Sequence, residues 1–436
     1  MMRKFLFALS GTLLASASLQ AVAADDFPRL AGYPIAGPHN YYDAAYQQKL
    51  AKLDVSVLSI YPGWGVAQKT TMDATVKKIK ALNPNTRVFA YVIGEALQIP
   101  ANQAWVDYEA KVNSSNWWLY QTGLSSSKVL SDYGKAFYVL NITTQAKKDS
   151  SGQNFAQWFG NYAADEFGNP NPALDGIFTD NVFWKPRRDG DWNLDGKIDS
   201  QNDSTVQGWY RSGYRLYADT LKKKMPGKMQ LANVADWGQS NAVLTEYKGV
   251  WNGGVMEHII GRSYSPEVSG WAPMMAHYRK TMDALAAPKL GIFQQDGNAT
   301  DYRAMRYGLA SCLMDDGYYY FNDDAHENYG VTWFDEFDAK LGAAVSKPQT
   351  SAWKSGVFRR DFENGIVLVN PKGNGSKKVT LDGTFIKLKG SQDSSVNNGA
   401  TVTEVTLQDR DGIILLRNKP AKRPAAPAIN QTSASN

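Results

Sequence analysis

Leu174-Asp175-Gly176-Ile177-Phe178-Thr179-Asp180-Asn181 is the stretch that decides the fold. An apolar, β-forming run ends in a carboxylate and an amide, with Trp184 close behind. Such a run reads as a short strand buried on both faces. Runs of the same character recur at Leu30–Ile35, Val55–Tyr61, Val88–Ile93, Met229–Val234, Gly254–His258, Leu290–Gln294 and Tyr318–Asn322. Helical spacing over Val66–Leu82, Val206–Met225 and Tyr302–Met314 separates them. Alternating strands and helices predict a parallel α/β sheet, and a count of eight strands predicts closure into a (β/α)8 TIM barrel. Ala136–Ile142 reads as an extra strand or an excursion before strand four.

The character changes near Pro348. From Ser355 short alternating strands follow one another at Val357–Arg360, Gly365–Asn370, Lys378–Leu381, Phe385–Leu388, Thr401–Leu407 and Gly412–Leu416. Glu363-Asn364-Gly365 and Asp411-Gly412 are turn signals. These features predict a small antiparallel β-sandwich over residues 348–417, after a barrel over residues 24–347. Residues 418–436, rich in Pro, Ala, Ser and Asn, lack the apolar content to order themselves.

The first 23 residues read as a secretion signal: Arg3 and Lys4, an apolar core from Phe5 to Ala15, and the small residues Ala21-Val22-Ala23 at the cleavage site. The apolar core is too short to span a bilayer, and no later run is long enough for a membrane helix. The expected location is the periplasm or outside the cell. The chain holds 47 basic and 42 acidic residues, a balance that falls closer to neutral once Arg3 and Lys4 leave, and that argues against nucleic acid as a partner. Cys312 is the only cysteine, so an internal disulfide is impossible. Nothing in the sequence specifies an oligomeric state. The 13 Trp and 23 Tyr suit large cores, and equally suit stacking on the apolar faces of sugar rings.

Asp191-Trp192-Asn193-Leu194-Asp195-Gly196-Lys197-Ile198-Asp199 fits the first nine positions of an EF-hand-type loop. Asp191, Asn193 and Asp195 would supply oxygens at positions 1, 3 and 5. Gly196 makes the sharp turn, Lys197 offers its backbone carbonyl at 7, and Asp199 sits at 9. The loop resembles the calcium loops of dockerin modules. It departs from them at position 12, where Asn202 replaces the acid and Asp203 follows one residue later. The expectation is a structural calcium held over residues 191–203, clipping the loop after Asp180; the alternative is a solvated acidic loop.

Active sites of such barrels lie at the C-terminal ends of the strands. Asp180 ends strand four, and Glu257, in Val255-Met256-Glu257-His258, ends strand six. Two carboxylates flanking a cleft are what glycoside hydrolysis requires: one gives a proton to the leaving oxygen, the other attacks the sugar carbon or activates water. Their environments must push the two pKa values apart. Asp180 is expected as nucleophile or base and Glu257 as general acid, with Glu95 and Asp296 as rivals for either role. Further polar and aromatic groups follow the other strands: Tyr33 and His39, Tyr61 and Trp64, Asn181 and Trp184, Asn233, Asp236 and Trp237, Gln295, and Asn322, Asp323 and Asp324. A cleft ringed in this way suits a hydroxyl-rich ligand. Lys185, Arg187 and Arg188 suggest a basic lining for an anionic or acetylated polymer. The four histidines have no zinc-like spacing, and neither a G-x-S-x-G elbow nor a P-loop occurs.

Leu174–Asn181, Gly254–His258 and Phe358–Pro371 resemble bacterial glycoside hydrolases of the hypothetical glycosyl-hydrolase-like barrel type. More distantly, they are similar to endo-polygalactosaminidase and alpha-amylase-type barrels. The resemblance implies a (β/α)8 barrel with carboxylate catalysis, closed by a C-terminal β-domain. Alpha-amylase-type enzymes place their nucleophile at the end of strand four, which implies Asp180. They place the acid after strand five; here strand five ends in Asn233-Val234-Ala235-Asp236, and the acid is assigned to Glu257 instead. The reading is an exported glycoside hydrolase acting inside a polysaccharide chain. The alternatives are a non-catalytic carbohydrate-binding protein and a polysaccharide assembly or export factor.

Overall fold

The computed structural model describes residues 26–35, 41–134, 136–326 and 330–419. The signal segment 1–23, His39 and the tail from residue 420 lie outside the described residues. Eight parallel strands form the sheet: β1 (Ala31–Gly32), β2 (Val55–Ser59), β3 (Arg87–Ile93), β4 (Gly176–Asp180), β5 (Met229–Asn233), β6 (Gly253–Ile260), β7 (Leu290–Gly297) and β8 (Tyr318–Asp323). A parallel bridge between Leu30 and Tyr319, with Tyr319 N donating to Arg29 O at 2.8 Å, joins the two ends. The result is the expected (β/α)8 barrel.

The strands read as continuous apolar runs because both of their faces are covered. One side chain in two points inward. Tyr33, Val55, Val57, Phe89, Phe178, Leu231, Val255, Ile292 and Tyr320 fill the barrel interior. Their neighbours Leu58, Val88, Ala90, Ile177, Ala232, Met256, Phe293 and Tyr319 pack outward in the larger core that includes the helices. Continued upward, the same alternation brings Tyr91, Asp180, Asn233, Glu257, Asp296 and Asn322 to the top of the interior. The outer layer includes Met72–Leu82, Phe155–Tyr162, Ser204–Lys224, Trp271–Ala284 and Tyr302–Cys312. Thr71, Asn154, Asp203 and Asp301 cap the N-termini of four of these helices.

Between β3 and β4 the chain makes a long excursion. It contains a two-stranded antiparallel pair, Ala96–Gln98 with Phe137–Val139, and the helix Val106–Ser115. This is where the extra strand expected at Ala136–Ile142 falls. Trp117, Trp118, Trp192, Trp237 and Trp251 are fully buried, so much of the tryptophan content serves the core.

The C-terminal unit is one five-stranded antiparallel sheet of β9 (Phe358–Phe362), β10 (Gly365–Asn370), β11 (Lys377–Lys387), β12 (Thr401–Leu407) and β13 (Asp411–Arg417). Two runs expected as separate strands, at 378–381 and 385–388, join as β11, whose pairing shifts between Thr380 and Phe385. That irregularity bends the strand, and the sheet folds around its own core of Ile366, Leu368, Val379, Phe385, Val405 and Leu415. Its other face lies on the barrel. Val367, Val369 and Ile414 join the barrel core, and a Cβ on Gly412 would stand 2.5 Å from Ala310 Cβ. Buried Arg360 donates to the carbonyls of Leu313 and Asp315. No described helix is long and apolar enough to cross a membrane.

Candidate active site

Asp180 and Glu257 meet across the barrel mouth through one side chain. Asn233, at the end of β5, donates from Nδ2 to Asp180 Oδ1 at 3.0 Å and to Glu257 Oε2 at 2.8 Å. Asp180 also accepts from the Tyr91 hydroxyl at 2.6 Å and from the backbone of Asn181 at 2.9 Å. Burial raises the pKa of Asp180, and the Tyr91, Asn233 and Asn181 donors oppose the rise. Burial, then the nearby Asp180 charge, push Glu257 from 4.5 up to about 7. With three donors on Asp180 against the shared amide on Glu257, the shared proton belongs on Glu257.

The residue after each acid owes its position to a break in strand alternation. Asn181 has φ 54° and His258 φ 57°, in the left-handed region that non-glycine residues rarely adopt. At β6 the pairing with β7 also shifts between Met256 and Ile260. Consecutive side chains, Asp180 with Asn181 and Glu257 with His258, therefore line the same cavity of about 670 Å³ instead of pointing to opposite faces.

Tyr33, Tyr133, Trp184, Asp236 and Tyr264 complete much of the cavity wall. Asp236 accepts from Trp184 N at 3.1 Å, and burial pushes its pKa up to about 8. Tyr264 is 71% exposed, and its ring meets His258 edge-on at 5.7 Å.

The two rival acids are tied down. Glu95 accepts from Asn181 Nδ2 at 2.6 Å, the Tyr133 hydroxyl at 3.3 Å and Arg187 Nε at 3.3 Å. Burial raises its pKa against the pull of Arg187 and Asn181. Asp296 has no exposed side-chain surface and accepts from Asn322, Arg262 and Gln294 while contacting His258. Neither presents a free face to a ligand as Glu257 does.

Several expected contacts lie elsewhere. Trp64 is buried against Tyr41, and Trp237 is buried against Tyr247 with its Nε1 donating to Val182 O, so both belong to the core. Gln295 follows the outward parity of β7. Its amide donates to Ala304 O and accepts from Tyr319, in space left open by Gly308, where a Cβ would stand 1.7 Å from Gln295 Oε1. Tyr61 lines a second cavity of about 490 Å³, with Tyr91, Leu97, Trp105 and Phe137. Two of the three basic residues are paired, Arg187 with Glu95 and Asp132 and Arg188 with Asp132, while Lys185 donates to the neutral Asn202 amide and keeps its charge.

Sequence reading alone missed Tyr91, Tyr133 and the contact of His258 with Asp296. The parity of β3 would have found Tyr91, since Phe89 and Tyr91 alternate inward. Tyr133 comes from an irregular segment without a periodic signal.

In the loop 191–203, Asp191 accepts from Asp195 N and Gly196 N, Asp195 from Lys197 N, and Asp199 from Trp192 N. Asp203 accepts from Thr205 N and Val206 N as a helix cap and stands apart from the turn. Among the described residues no three acidic, histidine or cysteine side chains gather closely enough to hold a metal ion. The donor chemistry is that of calcium, but the carboxylates turn onto the loop's own amides, and the set is incomplete without further closure.

Among curated proteins none matches the sequence. Solved structures similar to this one include the glycoside hydrolase domain of PelA from Pseudomonas aeruginosa, at 13% identity and a TM-score of 0.41, covering 70% of this chain and 98% of that one. An alpha-amylase from Geobacillus thermoleovorans matches at 10% identity and 0.48, covering 87% and 91%. An alpha-galactosidase from Geobacillus stearothermophilus matches at 9% identity and 0.43, covering 91% and 56%. The family model of hypothetical glycosyl hydrolase family 15 matches residues 80–366, most of the barrel and the first strands of the C-terminal sheet, and the chain belongs to that family.

Proposed function

We propose that the protein is an exported glycoside hydrolase that cleaves within a polysaccharide and retains configuration at the sugar carbon. The observation that carries this reading is the single Asn233 amide bonded to both Asp180 and Glu257. Bonds of 3.0 and 2.8 Å meeting at one nitrogen keep the two carboxylate oxygens under about 6 Å apart. That spacing suits a retaining pair, at about 5–5.5 Å, and leaves too little room for the water of an inverting pair, at about 6.5–9.5 Å.

Asp180, held as a carboxylate, attacks the sugar carbon while Glu257 gives its proton to the leaving oxygen. Glu257 then takes a proton from the water that opens the glycosyl–Asp180 ester, which restores both groups. Trp184 and Tyr264 supply ring faces for stacking, and Asp236, kept neutral by burial, donates to a sugar hydroxyl. Calcium at residues 191–203 is a structural proposal, and no step passes through it.

The test is reducing-end release from a panel of bacterial exopolysaccharides and plant glycans. Asp180→Asn is expected to abolish release while sugar binding remains. Wild-type protein that retains a glycan on an affinity gel but releases no ends would overturn the enzyme reading in favour of a binding protein.

A further inference from the structure

We propose that His258 is a positioning residue, held as an imidazolium between Asp296 and Glu257, and that this cation lets Glu257 release and recover its proton beside Asp180. The inference rests on the carboxylate-pair reading above. His258 Nδ1 lies 2.7 Å from Asp296 Oδ2, and its Nε2 lies 3.9 Å from Glu257 Oε1. The ring thus spans two acids, one sealed and one facing the cavity.

The sealed acid is built as an anchor. Asp296 receives Asn322 Nδ2 at 2.7 Å and Arg262 Nη2 at 3.2 Å in addition to the imidazole. Gly261, at φ 108°, lets the β6 end approach it: a Cβ there would stand 2.2 Å from Asp296 O. The His258 backbone is fixed as well, with φ 57° and its carbonyl accepting from Ser265 Oγ at 2.6 Å. A left-handed non-glycine residue at a strand irregularity beside the acid is a costly arrangement to maintain, and it is what turns the imidazole toward Glu257.

The groups facing His258 are Asp296 from β7, Glu257 from its own strand, the Arg262 guanidinium from the following loop, and the Tyr264 ring. Arg262 is itself paired with Asp296 and Asp324. Burial disfavours the imidazolium, but the Asp296 bond and the Glu257 charge outweigh it and raise its pKa above 6.5. Glu257 in turn faces Asp180, Asn233, Asp296 and His258. When Glu257 protonates the leaving oxygen and Asp180 bonds to carbon, the negative charge of the pair moves from Asp180 to Glu257, and the imidazolium beside Glu257 stabilises it there. His258 keeps both ring protons throughout; the moving proton passes from Glu257 to the leaving oxygen and returns from the attacking water.

The experiment combines two readouts on the full chain. With labelled histidine, four ring signals are present, and His258→Gln identifies one of them. That signal is expected to titrate above 6.5 in wild type and to fall by about one unit in Asp296→Asn and in Glu257→Gln. In His258→Gln, the alkaline limb of kcat/KM is expected to move up by about one unit, because loss of a neighbouring cation raises the pKa of the acid. A ring that titrates at or below 6.5 in wild type, or that ignores Glu257→Gln, overturns the proposal, as does an unmoved limb in folded His258→Gln. The two failures separate cleanly. A wild type that turns over no glycan refutes the hydrolase reading, whereas the ring titration, which needs no substrate, still decides the His258 contact.

Discussion

Replacing Glu257 by Gln should stabilise the folded protein at pH 8 and leave its stability unchanged near pH 4. Burial and Asp180 raise the carboxyl from 4.5 to about 7 in the fold, whereas an unfolded glutamate titrates near 4.3. Between those values the folded chain holds a proton that the unfolded chain has released. Stability therefore falls as pH rises through that window. At about 1.36 kcal/mol per unit, a rise of about 2.5 units corresponds to about 3 kcal/mol above pH 7 and to none below pH 4. The side chain is 21% exposed and shares its field with Asp180, which reduces the expected difference to about 2 kcal/mol. Glutamine keeps the shape and still accepts from Asn233, so the comparison isolates the charge. Denaturant unfolding of wild type and Glu257→Gln at pH 4, 6 and 8 measures it. A difference that does not grow with pH, or a variant less stable than wild type at pH 8, refutes the argument that the fold holds this acid against its ionisation.

Two further outcomes follow from the same geometry. Asn233→Leu removes the donor shared by Asp180 and Glu257. Each bond to a charged oxygen is worth about 1.5–3 kcal/mol, or about 1–2 pH units. Both carboxyl pKa values should rise, so that the acid limb, where Asp180 must be ionised, and the alkaline limb, where Glu257 must be protonated, both move to higher pH in kcat/KM profiles. At the loop 191–203, calcium should give binding heat and raise the Tm over chelated protein, and Asp191→Asn should abolish both. Absence of heat and of any Tm change discards the calcium proposal.

The barrel was legible because buried parallel strands announce themselves as apolar runs, and each of the eight runs coincides with an observed strand. The C-terminal strands were legible from alternation and turn residues, except where β11 runs through Gly383 without a turn. The site was legible only as far as strand ends are. Asp180, Asn233 and Glu257 sit on inward parity and could be named from sequence, while position after a strand does not separate outward Gln295 from its inward neighbour Asp296. Trp64 and Trp237 follow strands and were read as cleft residues, but nothing in a sequence separates an indole that stacks on a ligand from one that fills the layer under a loop. Tyr133 reaches the cavity from the excursion between β3 and β4, where no periodic signal exists to follow.

The two departures from alternation explain why so small a cavity holds so many polar groups. A regular strand offers one inward side chain at its end. By taking Asn181 and His258 into the left-handed region, β4 and β6 each offer two. The second residue then tends the first: Asn181 donates its backbone to Asp180 and its amide to Glu95, and His258 stands between Glu257 and Asp296. Asp180 and Glu257 are thereby each backed by a buried acid, Asp180 by Glu95 and Glu257 by Asp296, with a polar residue between. The asymmetry lies in those intermediaries. Asn181 is neutral and leaves Asp180 to its hydrogen bonds, whereas the proposed imidazolium of His258 places a fixed positive charge beside Glu257. An acid that stays ionised until it bonds to carbon needs fixed donors, and an acid that must gain and lose a proton in every turnover is helped by a neighbouring cation that stabilises its ionised form. The arrangement of intermediaries is thus the one that the proposed roles, Asp180 as nucleophile and Glu257 as acid and base, call for.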